Sequence, residues 1–163
     1  MPVDTDANWL WLFEWFEYTT PGIVVRESVW LFPVIEAVHL LGLCLLGGAV
    51  LVVDLRMLGL GLKRQTIAEL AANLRPWLVG AVVLMFVTGL LLFLSEAVKC
   101  YYSQSFLVKM IALPVALIFT FTVRERVAAT GGLQLSPWTR LVAAASMLLW
   151  FTVAAAGRWI GFS

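Results

Sequence analysis

The run Trp30-Leu-Phe-Pro-Val-Ile-Glu36-Ala-Val-His39-Leu-Leu-Gly-Leu-Cys44 holds the only histidine of the chain, with a carboxylate three residues before it and otherwise apolar surroundings. On a helix, the spacing i to i+3 sets Glu36 and His39 on one face, a turn apart. Ionisable groups inside an apolar crossing cost at least a few kcal/mol each unless they meet a partner, a ligand or water, so the pair marks a candidate functional site. Three roles are open to the imidazole. It can ligate a metal or a haem iron, relay protons with Glu36 because it titrates near neutral pH, or make an interhelical hydrogen bond. With one histidine, a bis-histidine haem within a single subunit is excluded. A five-coordinate haem, His/Met ligation and a site shared between two protomers remain.

Other donors fall at related depths. Counting inward at about 1.5 Å per residue, His39, Met85 and Met147 each lie roughly 15 Å from one face of the membrane, on three different apolar runs. An imidazole and two thioethers suit copper or a haem iron, while methionine in an apolar helix also serves as filler for irregular core space. Nearer the same face stand Glu36, Lys109 and then Arg158. Lys109 and Arg158 can neutralise an acidic ligand such as haem propionates, a quinone or a carboxylate; the alternative is a Glu36–Lys109 salt bridge that fixes helix register. Asp54 and Arg56 read as an ordinary helix boundary, because Gly59 and Gly61 follow. Cys44 and Cys100 read as free thiols, with Cys100 the more accessible.

The elements that position these residues follow from composition. The chain has 163 residues, 62% hydrophobic and only 13% charged, with a mean hydropathy of +0.95. That is far from the roughly 25% charged content of a soluble domain, and the formal net charge of +1 gives no sign of nucleic-acid binding. Four apolar runs, 29–53, 76–95, 105–123 and 139–157, are long enough to cross a bilayer as helices. The two connections at one end hold seven of the 11 Lys and Arg residues, which predicts that those loops are cytoplasmic and both termini periplasmic. Trp77, Trp138, Trp30 and Trp159 fall at the helix ends as an aromatic belt, and Trp150 is expected in the core.

Residues 1–22 form a separate N-terminal segment ahead of the transmembrane domain, 23–163. Within it Trp9, Phe13 and Phe16 share a helical face and Glu14 and Glu17 lie away from it, the pattern of a helix resting in the interface; a lid over a site in the bundle is the alternative. Thr19-Thr20-Pro21-Gly22 ends that helix. Glycines 42, 47 and 48 would let another helix approach the first span closely, and small-residue contacts would allow a homodimer or a larger membrane complex.

Taken together, Glu36-Ala-Val-His39-Leu-Leu-Gly, Val53-Asp54-Leu-Arg56-Met-Leu-Gly59, Ser95-Glu96-Ala-Val-Lys99, Phe106-Leu-Val-Lys109-Met110 and Ala156-Gly157-Arg158-Trp159-Ile160-Gly161 resemble an uncharacterised family of small bacterial four-helix inner-membrane proteins. The Phe-x-x-Lys-Met run is also similar in style to the copper-resistance protein D and cytochrome b561-like membrane families, whose members place copper or haem on helix-borne histidines. The first resemblance implies the fold and a bacterial inner membrane. The second implies a ligand, for which this chain offers His39 alone.

The expectation is an all-α protein, an antiparallel four-helix transmembrane bundle with an amphipathic interfacial helix at its N-terminus. Its leading function is a redox or ligand-binding module with haem b, or copper as second choice, on His39. Glu36, Lys109 and Arg158 would stand around that cofactor, and Met85 and Met147 would be further metal donors. No Ser/His/Asp arrangement is present, so hydrolytic catalysis is not expected. Two alternatives stand beside it: a non-catalytic accessory or assembly subunit with a structural Glu36/His39/Lys109 network, and a small proton-coupled transporter.

Overall fold

The computed structural model describes residues 7–62 and 64–160; residues 1–6 of the N-terminal segment, Lys63 of the first basic loop and Gly161 lie outside them. In chain order the helices are α1 (Ala7–Glu17), α2 (Thr20–Glu27), α3 (Leu31–Leu58), α4 (Ile67–Ser95), α5 (Ala97–Tyr102), α6 (Gln104–Phe119), a π-helical turn (Thr120–Arg124), α7 (Glu125–Ala129) and α8 (Pro137–Ile160). Four stretches are long and apolar enough to cross a membrane: α3, α4, α6 continued through α7, and α8. The chain is therefore an all-α, multi-pass membrane bundle.

The spans outrun the apolar runs that announce them, because their ends are set by caps. Thr66 and Glu69 form a reciprocal capping box, so α4 starts nine residues before Pro76 and carries that proline within it. Gly59, at φ +86°, ends α3, with the Leu60 N–H donating to the Leu55 carbonyl at 2.9 Å and the Gly59 N–H to that of Arg56 at 3.1 Å.

Helix α3 packs on both α4 and α8, and α8 packs on α6. Successive spans run in opposite directions, so these contacts are antiparallel. The spatial order α4, α3, α8, α6 would close into a ring if α6 packed along α4, but those two share no sustained contact; they touch where Phe93 stacks on Phe106 near the termini, and α7 reaches α4 at the basic end. Alanines with no exposed surface, Ala81, Ala116 and Ala143, stand where helices approach. Among the glycines expected to admit a neighbour, Gly42 does: a Cβ there would meet Met85 Sδ at 3.2 Å. Gly47 and Gly48 face open space, on the side of α3 turned away from α4 and α8.

The basic end holds more than a boundary. Arg124 Nε donates to Asp54 Oδ1 at 2.7 Å, with the two side chains 1% and 0% exposed. Arg124 also donates to the Val50 carbonyl and to Glu125 Oε1. Arg56, equally buried, donates to the Gln65 carbonyl. The reading of Asp54 and Arg56 as an ordinary helix boundary is thus corrected: Gly59 does stop the helix, but both side chains turn into the bundle. The π turn, in which the Glu125 N–H reaches back to the Thr120 carbonyl, adds a residue to α6 just where Arg124 must point inward. Asp54 Oδ2 and Ser146 Oγ, buried in the same cluster and near each other, have no other hydrogen-bond partner among the described residues.

Removing one member of so buried a pair strands the other charge. Arg124→Leu is expected to cost about 3–5 kcal/mol of stability in mixed micelles, and Asp54→Leu/Arg124→Leu much less. Denaturant midpoints measure this; a double variant as unstable as the single one would show that the pair does not act as argued.

Candidate functional site

The gap between α4 and α6 opens a cavity of about 310 Å³ in the half of the bundle nearer the termini. Its walls are apolar apart from two side chains, His39 on α3 and Lys109 on α6, and Trp150 of α8 contributes to the lining below them. Phe86, Leu90 and Met110 line it and are exposed, so its mouth faces sideways, between α4 and α6, toward the lipid.

The state of His39 follows from one neighbour. Its Nδ1 lies 2.7 Å from Thr88 Oγ1, and that hydroxyl donates its only hydrogen to the Leu84 carbonyl at 2.7 Å. Thr88 therefore accepts from His39, the proton sits on Nδ1, and Nε2 keeps its lone pair. The ring lies flat enough on α4 that a Cβ at Gly89 would stand 3.2 Å from Cε1. Nε2 has no hydrogen-bond partner among the described residues.

Lys109 is equally unmatched. Its stem passes over Gly157 of α8, with Nζ 3.6 Å from where a Cβ would be, and the ammonium meets no carboxylate and no acceptor among the described residues. It is near enough to His39 for its charge to act on the ring. The cavity thus presents one fixed donor cation and one fixed lone pair in apolar surroundings.

Of the other residues singled out in the sequence, Met85 lines the cavity, but its sulfur is turned toward Gly42 between α3 and α4. Met147 and Arg158 do not line it, and Arg158 is exposed. Glu36 is corrected most. Three residues of helix advance leave it about 60° from His39, enough that the imidazole turns to α4 while the carboxylate is exposed on the outer surface and forms no ion pair with Lys109. The geometry therefore gives neither the Glu36–Lys109 register bridge nor a Glu36–His39 relay. Among the described residues no three His, Cys, Asp or Glu side chains gather as a metal site. Thr88 and Met110 were missed; a hydroxyl on α4 near the depth of His39 was the available signal for the first.

The N-terminal helix roofs this end. Phe13 and Phe16 set their ring edges against Phe93 at 5.9 and 5.6 Å, and Phe93 stacks on Phe106 at 5.6 Å; both Phe93 and Phe106 line the cavity. Glu17 fastens α1, accepting from the Val98 N–H at 2.8 Å and from Arg26 at 2.7 Å. Trp9, Trp11 and Trp15 remain exposed. The helix thus covers this end of the bundle, and Trp9 does not share the buried side of Phe13 and Phe16. Trp150, expected in the core, is half-buried and donates to Thr120 Oγ1 at 3.0 Å.

Both thiols are free, but their accessibility is the reverse of expectation: Cys44 is exposed on a transmembrane helix and Cys100, on α5, is buried. A short helix ahead of the third span, α5, covers what reads in sequence as a loop. Burial, with Glu96 nearby, pushes the Cys100 thiol up to about 11.

Fold and site define a four-helix membrane protein with a laterally open, two-headed cavity. The family described as DUF6644, a family of unknown function, matches residues 12–163. The chain belongs to that family. Nothing matches it among curated proteins or solved structures, so the likeness to copper-resistance protein D and cytochrome b561 has no counterpart in these comparisons.

Two outcomes follow. The ¹⁵N spectrum of His39 should show the Nδ1–H form in the native protein and a mixture in Thr88→Val; an Nε2–H ring in the native protein would overturn the assignment. Cys100 should react with a water-soluble maleimide at pH 8 far more slowly than a free thiol, and accelerate as pH nears 11, because the thiolate is the nucleophile.

Proposed function

We propose that the protein binds a lipid-soluble molecule with a phenolic, quinol-type head, which enters the cavity sideways from the bilayer. The observation that carries this reading is the pair of unpartnered polar groups, Lys109 Nζ and His39 Nε2, in an otherwise apolar cavity. An ionised carboxylate would satisfy the ammonium but has no hydrogen for Nε2. A quinone carbonyl has none either. A quinol satisfies both, one oxygen accepting from Lys109 and a hydroxyl donating to His39. The opening between α4 and α6 suits a ligand that already resides in lipid, and the roof of α1 keeps water from the head. With the basic loops in the cytoplasm, the cavity lies in the periplasmic half and both termini face the periplasm of a bacterial inner membrane.

Haem b on His39 is the second reading, favoured by the Thr88 contact: a ring nitrogen that donates to a neighbour and leaves the other bare is the usual support of a ligating histidine. His39 would hold the iron through Nε2, and Lys109 would neutralise an acidic edge of the group. Copper fits less well, since Met85 is turned away and Met147 is outside the cavity. A bound haem would supply one-electron chemistry; the chain's own part is to hold the imidazole tautomer and neutralise an acidic edge.

A short-chain benzoquinol titrated into purified protein, with its oxidised form and palmitate as comparisons, tests the first reading. The expected order of affinity is quinol, then quinone, then palmitate. Lys109→Met should weaken quinol binding about tenfold or more, and His39→Phe should erase the preference for quinol over quinone. Equal binding of all three, unaffected by either change, ends the proposal. A Soret band in the purified protein that His39→Ala removes selects haem instead.

A further inference from the structure

At the opposite end of the molecule, the segment between α7 and α8 encloses a cleft of about 500 Å³, lined by Arg126, Thr130, Gly132, Gln134 and Trp138 among others, with no carboxylate in its walls. It shares no residue with the His39 cavity.

The charge balance around it is one-sided. Asp54 is taken by Arg124. Glu125 is shared between Arg124, at 2.9 Å, and Arg75, at 3.8 Å. Glu69 accepts from its own capping residue, Thr66. Every acidic side chain at this end therefore has its partner, whereas Arg126, exposed on the cleft wall, has none among the described residues. Arg140, exposed one turn into α8, has none either. A guanidinium that faces a polar cleft with no internal anion suits a phosphate group, which it can bind through two parallel N–H bonds.

Depth selects the source of that phosphate. Trp138, exposed on the cleft rim in the first turn of α8, sits at a helix end, where indoles settle among lipid headgroups. Leu141, exposed on α8 one turn beyond Trp138, continues the rim with an apolar surface that an acyl chain would cover. Basic clefts between transmembrane helices at headgroup level are a recurring form of anionic-lipid recognition.

We propose that this cleft binds the headgroup of an anionic phospholipid, with the phosphate on Arg126, support from Arg140, and the acyl chains descending past Trp138 and Leu141. The site selects for charge in the leaflet that faces the basic loops, and it is independent of whatever occupies the His39 cavity.

The test is native mass spectrometry of the whole protein released from micelles doped with phosphatidylglycerol or, at the same level, phosphatidylcholine. One phosphatidylglycerol per chain should survive where phosphatidylcholine does not. Arg126→Gln should lower that retention about fivefold, the equivalent of ~1 kcal/mol for one arginine at the membrane surface. Arg64→Gln, which removes the same charge from the other basic loop, should leave it unchanged; Arg126 and Arg64 are both exposed, so neither change threatens the fold. Equal retention of the two lipids, or equal losses in the two variants, overturns the site. So does displacement of the lipid by millimolar inorganic phosphate with no preference for the diacyl form, which would make it a free-anion site.

Discussion

In hydrocarbon a polar group without a partner has no water to fall back on, and each such group costs several kcal/mol. That constraint organises this molecule. The Asp54–Arg124 pair at the basic end is its fullest expression: one guanidinium satisfies a carboxylate, a backbone carbonyl and a second carboxylate, and α6 accepts a π turn just before it. Arg56 answers the same demand by closing two carbonyls of the neighbouring loops. Thr88, Trp150 and Thr120 do so with hydroxyl and indole groups inside the bundle.

Against that background the exceptions stand out. Among the described residues Lys109 and Nε2 of His39 are left open, and both face the region where α4 and α6 fail to close on each other. The two facts belong together. The helices in the order α4, α3, α8, α6 leave a lateral opening unless α6 packs along α4, and this chain joins that edge at its two ends, through α7 and through the Phe93–Phe106 stack, and not between them. The roof helix α1, tied down by Glu17, finishes the enclosure from above without filling it. The bundle is closed by a buried ion pair at one end and open at the other, a division suited to holding a guest.

Much of this was legible in the sequence. Four apolar runs of sufficient length, basic connections and tryptophans at the ends fix a four-helix membrane bundle, because the length of a span and the hydration of its ends depend on composition along the chain. His39 was legible as well, since a lone imidazole amid apolar residues needs a reason wherever it points. Asp54 was less so: a carboxylate near a glycine-terminated helix end reads as hydrated, and only the partner on a span 70 residues away shows otherwise. Glu36 failed for the opposite reason. Spacing of three residues places two side chains on neighbouring stripes of a helix, and the width of the inward-facing stripe is set by the helices that pack there.

What the sequence by itself determined is thus the class: the number of crossings, the end at which the basic loops gather, and which residues are too polar for where they lie. The tertiary structure decided which of those residues meet. It paired Arg124 with Asp54, set Thr88 under His39 and so chose its tautomer, turned Glu36 out and Met147 aside, and left Lys109 without an anion among the described residues. The reason is physical. Hydrophobicity and capping act between residues close in the chain, whereas rotation about each helix axis and the order of the helices are settled by packing between segments far apart in it.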